Sequence, residues 1–595
     1  MKNSDFKYTI SFKIFTVFTV SLIACAMASA AAAGTGPADL VLINGRILTV
    51  DAKDSVAEGL AVSAGKIIAV GSSHEISALA GPHTHVLDLQ GRTATPGLID
   101  SHAHISSGGL RALLWVDLSD ADSVSEIVKR VAAKAATVNR GAWVLGRGWD
   151  EGKLRELRYV YAADLDVVTP DNPVWLEHTT GHYGVANSAA LKLAGITASS
   201  TDPPAGTIDR DSKGQPTGVL KEAALSLVER LIPSPTSEQR ETAILHMVEE
   251  LHREGMTAFK DPDITADDWA AYQSLATAGK LDERVCVLWG GGTTVESVRA
   301  VIARMSTLPK APSMIGDRLM SCGVKLFMDG SGGARTAWVH QPWNKRSTEQ
   351  DGQNVGYPNI EPAIYREQIR LLTSAGINVG THAVGDRAID WVVDSYAAAL
   401  EEHPVRGLRH TIIHANLPTP HAMTVMRMLE QRYDAGYPEI QAPFLWWLGD
   451  TYAGNYGPQR SLHLIPLRSF QKSSVMWGSG SDYYVTPFPA RYGLWASTAR
   501  ETLRGVYGRQ PFGTAESVDV HAALRSYTAS NARLLFLEDR IGTLEVGKDA
   551  DIAVWDRDLY SVPAAALKDL HCELTLIAGA VRYRASTSPI RLRGE

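Results

Sequence analysis

Cysteine is scarce in this chain, and its scarcity argues against one class of protein. Only Cys25, Cys286, Cys322 and Cys572 occur in 595 residues, and no C-x-x-C pair is present. Small secreted scaffolds that depend on disulfide bonds are far richer in cysteine. We therefore expect no disulfide framework, and we interpret the three cysteines after Cys25 as buried apolar thiols.

The sequence also lacks the signatures of nucleotide and nucleic-acid binding. It contains no Walker-type phosphate loop, no glycine-rich dinucleotide fingerprint and no block of lysine or arginine, and its formal net charge is -7. A protein that binds nucleic acid through the phosphates needs a basic face. We therefore expect no nucleic-acid partner, and a small molecule is the expected ligand.

The N-terminus differs in composition from the rest of the chain. Lysines precede an apolar stretch at residues 14–28, and small residues follow that stretch. This pattern is typical of an export signal, and the stretch is too short to span a membrane comfortably. We predict a signal peptide over residues 1–30, export to the bacterial periplasm and no membrane span. A Leu-Ile-Ala-Cys run also fits a lipoprotein cleavage box, so a lipid anchor at Cys25 is the alternative.

The remaining chain is long enough for a large core and more than one domain, with 45% hydrophobic residues overall. Short strands and turns occupy residues 38–92 and 541–585, which we predict to pair as a small composite β-sandwich domain. Residues 93–540 alternate strands and helices, which indicates an α/β fold and a (β/α)₈ barrel of the TIM type. The stretch between His104 and Lys325 is too long for the few strand–helix units of a barrel that it would contain. We therefore expect an inserted subdomain at about residues 110–250.

Two histidines one residue apart give the strongest chemical signal. His102 and His104 end an apolar, strand-like segment at residues 94–104. On a strand, side chains at i and i+2 point the same way, so both imidazoles face one point. Proteins present two nitrogen ligands to one metal ion in this way. The alternative is a chance pair of surface histidines.

Other candidate ligands end, or lie within, the later predicted strands: Lys325, His382, His414 and Asp482. Because strand ends meet at one mouth of a barrel, these groups and the first two histidines could form a dinuclear hydrolytic site. We assign Asp482 the role of general base and then general acid. Taken singly, each residue is better explained as a polar core or turn residue, and only the set in this order favours a metal site.

These motifs resemble the amidohydrolase superfamily, and within it the YtcJ-like (amidohydrolase 3) group, which includes N-substituted formamide deformylase. The resemblance is carried by residues 95–104, 526–532 and 542–551. It implies a barrel with a composite β-domain, one or two zinc-type divalent metals and hydrolysis of carbon–nitrogen bonds.

The resemblance also implies a place for each ligand. His102 and His104 belong to the first barrel strand, and the fourth, fifth, sixth and eighth strands carry Lys325, His382, His414 and Asp482. As an ammonium group Lys325 cannot bind a metal, so it would have to be carbamylated by CO₂. Lys260, at another strand end, is either a competitor of Lys325 or a contact for an anionic group.

Substrate contacts are expected from the inserted region and the barrel mouth: His182, Trp149, Lys260 and Tyr483. For His182 the alternative is a capping or packing role, and for the aromatic residues it is packing in the core.

The sequence thus predicts an exported, metal-dependent hydrolase that cleaves an amide or N-formyl bond of a small molecule, with an aromatic group as one option. Departures from the family pattern around His414 and Asp482 keep lactone or ester hydrolysis, deamination and C–C cleavage open. A non-catalytic binding protein for small molecules is a further alternative, and a homodimer is left open.

Overall fold

The computed structural model describes residues 37–344, 353–503 and 513–591. The predicted signal peptide and Cys25 lie outside these residues, so both stay predictions. Within the described ranges, no helix is sufficiently long and apolar to cross a membrane.

Eight parallel strands form the central sheet, and each pairs with the next along the chain. The first to eighth barrel strands are Leu98–Asp100, Met256–Ile264, Arg284–Gly290, Leu319–Phe327, Asn378–Ala383, Thr411–His414, Tyr437–Ile440 and Gly478–Ser479. The backbone N–H of Ser101 donates to the carbonyl of Ser479 at 3.1 Å, which joins the first and last strands. The predicted TIM-type barrel is therefore confirmed.

Helices follow most barrel strands because their sequences carry one apolar face and clear start signals. In the helix Ser237–Arg253, Thr236 and Gln239 form a capping box, and Ile244 and Leu251 are buried. The other long helices around the barrel are Ala266–Thr277, Val295–Met305, Pro362–Ser374, Asp386–Glu402 and Pro420–Tyr433. Further helices near the barrel are Ile105–Leu114, Pro443–Trp447, Gly449–Ser461, Leu467–Lys472, Ala490–Ala499, Val520–Ser526 and Ala529–Leu534.

The ends of the described chain form two further sheets, the first from N-terminal strands and the second from strands of both ends. One contains Ala38–Ile43, Gly59–Ser63, Lys66–Gly71 and Ala80–Asp88. The other contains Arg46–Leu48, Val56–Ala57, Thr93–Pro96, Ile552–Trp555, Cys572–Ile577 and Ala580–Arg584. Leu42 and Leu60 of the first sheet share one buried apolar cluster with Ile552 and Leu574 of the second. Outside the sheets lie the helix Ser73–Ser77 and the 3₁₀ turns Thr514–Glu516 and Ala564–Asp569.

A six-stranded mixed sheet is inserted between the first and second barrel strands. Its strands are Val116–Asp117, Val144–Trp149, Val174–His178, Tyr183–Ala186, Gly206–Arg210 and Pro216–Glu222. Its helices are Val124–Ala135, Ala162–Asp166, Ser188–Leu193 and Ser226–Glu229, with a 3₁₀ turn at Ala223–Leu225. The inserted sheet has its own apolar core around Trp149 and Leu176. The domain boundaries drawn from the sequence stay a prediction.

The expectation that the later cysteines are free thiols was wrong for two of them. Cys286 and Cys322 form a disulfide, with their Cα atoms 5.7 Å apart, whereas Cys572 is free and buried. The two bonded residues lie on the adjacent third and fourth barrel strands. Between these strands the pairing passes from Val287–Ser321 to Leu288–Gly323, so Cys322 is the extra residue of a bulge. Strand register, which the spacing of the cysteines does not reveal, brings them together.

Candidate metal centre

Two histidines and one carboxylate meet at the mouth of the barrel. The Nε2 atoms of His102 and His104 each lie 3.3 Å from Oδ1 of Asp482. One ligand atom from each residue lies within 4.8 Å of the others. Two imidazole nitrogens and a carboxylate oxygen are a donor set that suits zinc-type divalent ions. The three residues therefore fit a metal ion.

The loop after the eighth strand places Asp482 beside the histidines. The Asp100 carboxylate accepts hydrogen bonds from the Ser481 hydroxyl at 2.7 Å and from the His102 backbone N–H at 2.9 Å. The Asp482 backbone N–H donates to the His102 carbonyl at 2.7 Å. The first and eighth strands are thus tied together at the residues that carry the candidate ligands.

The charge state of Asp482 follows from these contacts. Burial alone would raise the pKa of Asp482, but its contacts with the imidazoles of His102 and His104 outweigh burial and hold that pKa well below its ordinary value. Asp482 is therefore a carboxylate, the form that can bind a cation or accept a proton.

Of the two lysine candidates, Lys325 is the one beside the histidines. Its Nζ lies 3.3 Å from His102 Nε2. Burial lowers the pKa of Lys325 to about 8, which brings the neutral amine within reach near neutral pH. Lys260 instead forms a buried ion pair with Glu439 inside the barrel. Carbamylation of Lys325 stays a prediction.

The histidines of the fifth and sixth strands form a second pair of nitrogen donors. The ring centroids of His382 and His414 are 4.5 Å apart, and that of His414 is 5.6 Å from His102. Burial lowers the pKa of both His382 and His414 well below the ordinary value. Both are therefore neutral imidazoles, the form that binds metals. Neither belongs to the tight group of His102, His104 and Asp482.

Several residues at the site have left-handed backbone conformations. The φ angles are 75° for His414, 56° for Asp482 and 50° for Glu222. Positive φ is uncommon for residues other than glycine, and such positions cluster at functional sites. Here all three positions lie at or just after the end of a strand, and all three side chains line the same cavity.

A cavity of about 800 Å³ lies above these groups. Its floor includes His104, Lys325, His382, His414 and Asp482. His182 reaches it from the inserted sheet, with its Nδ1 3.0 Å from Oε2 of Glu222 and its ring centroid 5.0 Å from that of His382. Burial would lower the pKa of His182, but the Glu222 carboxylate outweighs burial and raises it.

The structure does not bring the other predicted contact residues into the cavity. Trp149 is buried in the inserted sheet, where its indole N–H donates to the Leu176 carbonyl at 3.1 Å. Tyr483 packs edge-on against Phe488, with ring centroids 5.5 Å apart. Its neighbour Tyr484 lines the cavity instead, and the Lys260 ion pair lies among the buried side chains of the barrel.

Sequence reasoning missed two residues of the seventh strand and its end. The amide oxygen of Gln441 accepts a hydrogen bond from His414 Nδ1 at 2.7 Å. Oε2 of Glu439 lies 3.8 Å from His102 Nδ1. Two polar residues at i and i+2 in an otherwise apolar segment were the available signal, because alternate residues of a strand share one face.

Known proteins match this chain over most of its length, and a solved structure shares its fold. The sequence profile of the amidohydrolase family matches residues 85–583. N-substituted formamide deformylase of Arthrobacter pascens is 31% identical over 573 residues, covering 92% of this chain and 99% of that protein. A putative amidohydrolase, YtcJ, of Bacillus subtilis is 26% identical, covering 89% and 96%. An uncharacterized metal-dependent hydrolase from Pyrococcus horikoshii superposes with a TM-score of 0.68 at 26% identity, covering 88% and 99%.

Proposed function

We propose, on the premise that the chain belongs to the amidohydrolase family, that it hydrolyses the amide or N-formyl bond of a small N-substituted molecule. As a member of this family it is a metal-dependent hydrolase that acts on carbon–nitrogen bonds. The observation that carries the proposal is the convergence of His102, His104 and Asp482 at the barrel mouth, where His104 and Asp482 line a large cavity. The products would be a carboxylic acid, formate for a formamide, and an amine.

The metal would be held by groups from the strand ends. We assign one divalent ion, zinc in our proposal, to His102, His104 and Asp482. A second ion would be held by His382 and His414, and a carbamylated Lys325 would supply a further ligand. When bound, such metals supply an electrophile that polarises the carbonyl and acidifies the attacking water.

Asp482 handles the proton in this scheme. Its carboxylate accepts a proton from the attacking water and then gives it to the nitrogen that leaves as the amine. His182, which also lines the cavity, would contact the substrate. Because its Nδ1 is held by Glu222 at 3.0 Å, its Nε2 is the nitrogen left to contact the substrate, and that contact orients the carbonyl.

The cavity walls favour a substrate with an apolar substituent. Away from the candidate ligands, the lining includes the side chains of Leu110, Leu114, Trp115, Leu225 and Ile232. Two arginines also line the cavity. Arg111 is paired with Glu177 through both carboxylate oxygens, at 2.9 and 3.2 Å, and Arg240 is paired with Asp268 at 2.5 Å. Both are therefore already neutralised, which disfavours an anionic substrate. The activity named for the Arthrobacter relative supports an N-substituted formamide.

Turnover of a substrate panel by the zinc-loaded protein tests the proposal. N-formyl and N-acyl amines should be hydrolysed, and Asp482→Asn should lower kcat by about 10²–10⁴-fold, with metal content measured in parallel. Near-full activity of the variant would show that Asp482 is not the base.

The same panel distinguishes the alternatives. The panel therefore also includes lactones, esters, aminated rings and substrates with a cleavable C–C bond. Turnover of one of these classes in place of amides would identify that reaction as the function of the same site. Ligand binding that survives chelation, without any turnover, would indicate a binding protein.

A further inference from the structure

We propose that the seventh barrel strand fixes the ring orientation and tautomer of two metal-binding histidines, His102 and His414, through Glu439 and Gln441, and that Lys260 holds Glu439 in place. The inference rests on the proposed function, because it treats both histidines as metal ligands. Glu439, Gln441 and Lys260 are positioning residues in this scheme, since they act through the histidines and touch neither substrate nor metal.

The two nitrogens of His102 have different surroundings. Nε2 lies 3.3 Å from both Asp482 Oδ1 and Lys325 Nζ, so it faces the metal position. Nδ1 faces the opposite way, 3.8 Å from Oε2 of Glu439. Both Nδ1 and Oε2 are buried without a hydrogen-bond partner among the described residues. The carboxylate therefore favours the proton on Nδ1 and leaves the lone pair of Nε2 for the metal.

Lys260 keeps the carboxylate available for this role. Its Nζ pairs with the other oxygen of Glu439, Oε1, and the two side chains are 1% and 0% exposed. A carboxylate buried this deeply without a cation would be strongly disfavoured. The pair leaves Oε2 of Glu439 facing His102, which explains why a lysine lies inside the barrel but outside the cavity.

Gln441 repeats the arrangement one step along the strand. Its Oε1 accepts the Nδ1–H of His414 at 2.7 Å, so Nε2 of His414 is the nitrogen left for a metal. Glu439 and Gln441 are two residues apart, and alternate residues of a strand point to the same side. The described seventh strand thus supplies no candidate ligand of its own. Instead, Glu439 orients His102 of the first-strand motif, and Gln441 orients His414 of the sixth strand.

Metal affinity of the purified full chain tests the inference without using activity. Zinc would be titrated against a chelator of known affinity, and the visible spectrum of the cobalt-substituted protein would report ligand geometry. Glu439→Gln and, separately, Gln441→Leu should each weaken metal binding by about 10–100-fold and alter the cobalt spectrum.

The chain offers a matched control. Glu283 is also a fully buried carboxylate beside a histidine, with Oε1 3.3 Å from His252 Nε2. It precedes the third strand, at the opposite end of the barrel from the candidate ligands. Glu283→Gln should leave zinc affinity and the cobalt spectrum unchanged, and a loss equal to that of Glu439→Gln would overturn the inference.

A double variant covers the case in which a single variant folds poorly. Lys260→Met/Glu439→Gln removes both charges together, so no unpaired ion remains, yet we expect the same 10–100-fold loss of zinc affinity. Wild-type affinity in this variant, or in both Glu439→Gln and Gln441→Leu, would overturn the inference and leave the proposed function intact. Wild-type protein that binds no zinc would overturn the proposed function itself, and the inference with it.

Discussion

Replacing Lys260 by methionine removes the cation from a fully buried ion pair. Lys260 and Glu439 are 1% and 0% exposed, so water cannot replace the lost partner. Methionine is unbranched and of similar length, which keeps the change in packing small. We expect the free energy of unfolding to fall by about 3–5 kcal/mol, the usual cost of leaving one member of a buried pair alone.

The double variant Lys260→Met/Glu439→Gln separates charge from packing. It has no unpaired charge, but the new amide group lacks partners, which costs about 1–3 kcal/mol. We therefore expect the double variant to be about 2 kcal/mol more stable than Lys260→Met alone. A double variant that is more stable than Lys260→Met would identify the unpaired charge, rather than altered packing, as the source of the effect.

Urea unfolding of chelator-treated protein measures these differences without any contribution from metal binding. The 14 tryptophans of the chain provide a fluorescence signal for unfolding. A Lys260→Met variant within about 0.5 kcal/mol of wild type, the range of an ordinary surface change, would refute the reasoning. So would a double variant less stable than the single one.

Three further predictions concern other parts of the chain. Burial lowers the pKa of His410 from 6.5 to about 3, so between these values the unfolded chain binds a proton that the folded one excludes. His410 should therefore make the free energy of unfolding fall by up to ~1.4 kcal/mol per pH unit from about pH 6.5 to about pH 3, and His410→Gln should reduce the measured slope by that amount in denaturant titrations. Glu222→Gln should raise KM about 10-fold with a smaller effect on kcat, because His182 loses a charged partner, and an unchanged KM would contradict the role of His182. Intact mass of the exported protein should show loss of residues 1–30, or an acylated Cys25, whereas retention of the full N-terminus would argue against export.

Those parts of the fold and site that depend on local patterns could be predicted from the sequence. His102 and His104 lie within four residues of the end of the first barrel strand. A barrel topology brings the ends of distant strands to one mouth, so Asp482 could be placed beside them. The helix after Thr236 was also predictable, because its capping box and apolar face lie within one short segment.

Features that depend on register between strands could not be predicted. The Cys286–Cys322 disulfide forms because a bulge shifts the pairing of two adjacent strands. Tyr483 and Tyr484 are adjacent in the sequence, and only the folded structure shows which of them faces the cavity. Tyr484, rather than Tyr483, lines the cavity wall. In both cases the deciding contact lies across the structure, where the local sequence carries no information.

The two barrel lysines show why residue type alone does not assign chemistry. Lys260 and Lys325 are both buried in parallel strands, and the sequence offers each as a candidate for the metal site. Their surroundings differ: a carboxylate of the seventh strand pairs directly with Lys260, whereas Lys325 lies beside His102 with its pKa lowered to about 8 by burial. Reaction with CO₂ requires the neutral amine, so an ion-paired lysine is the poorer nucleophile. Glu439 therefore gives the two lysines different roles. Its carboxylate forms the ion pair with Lys260 and also faces His102, the histidine beside Lys325.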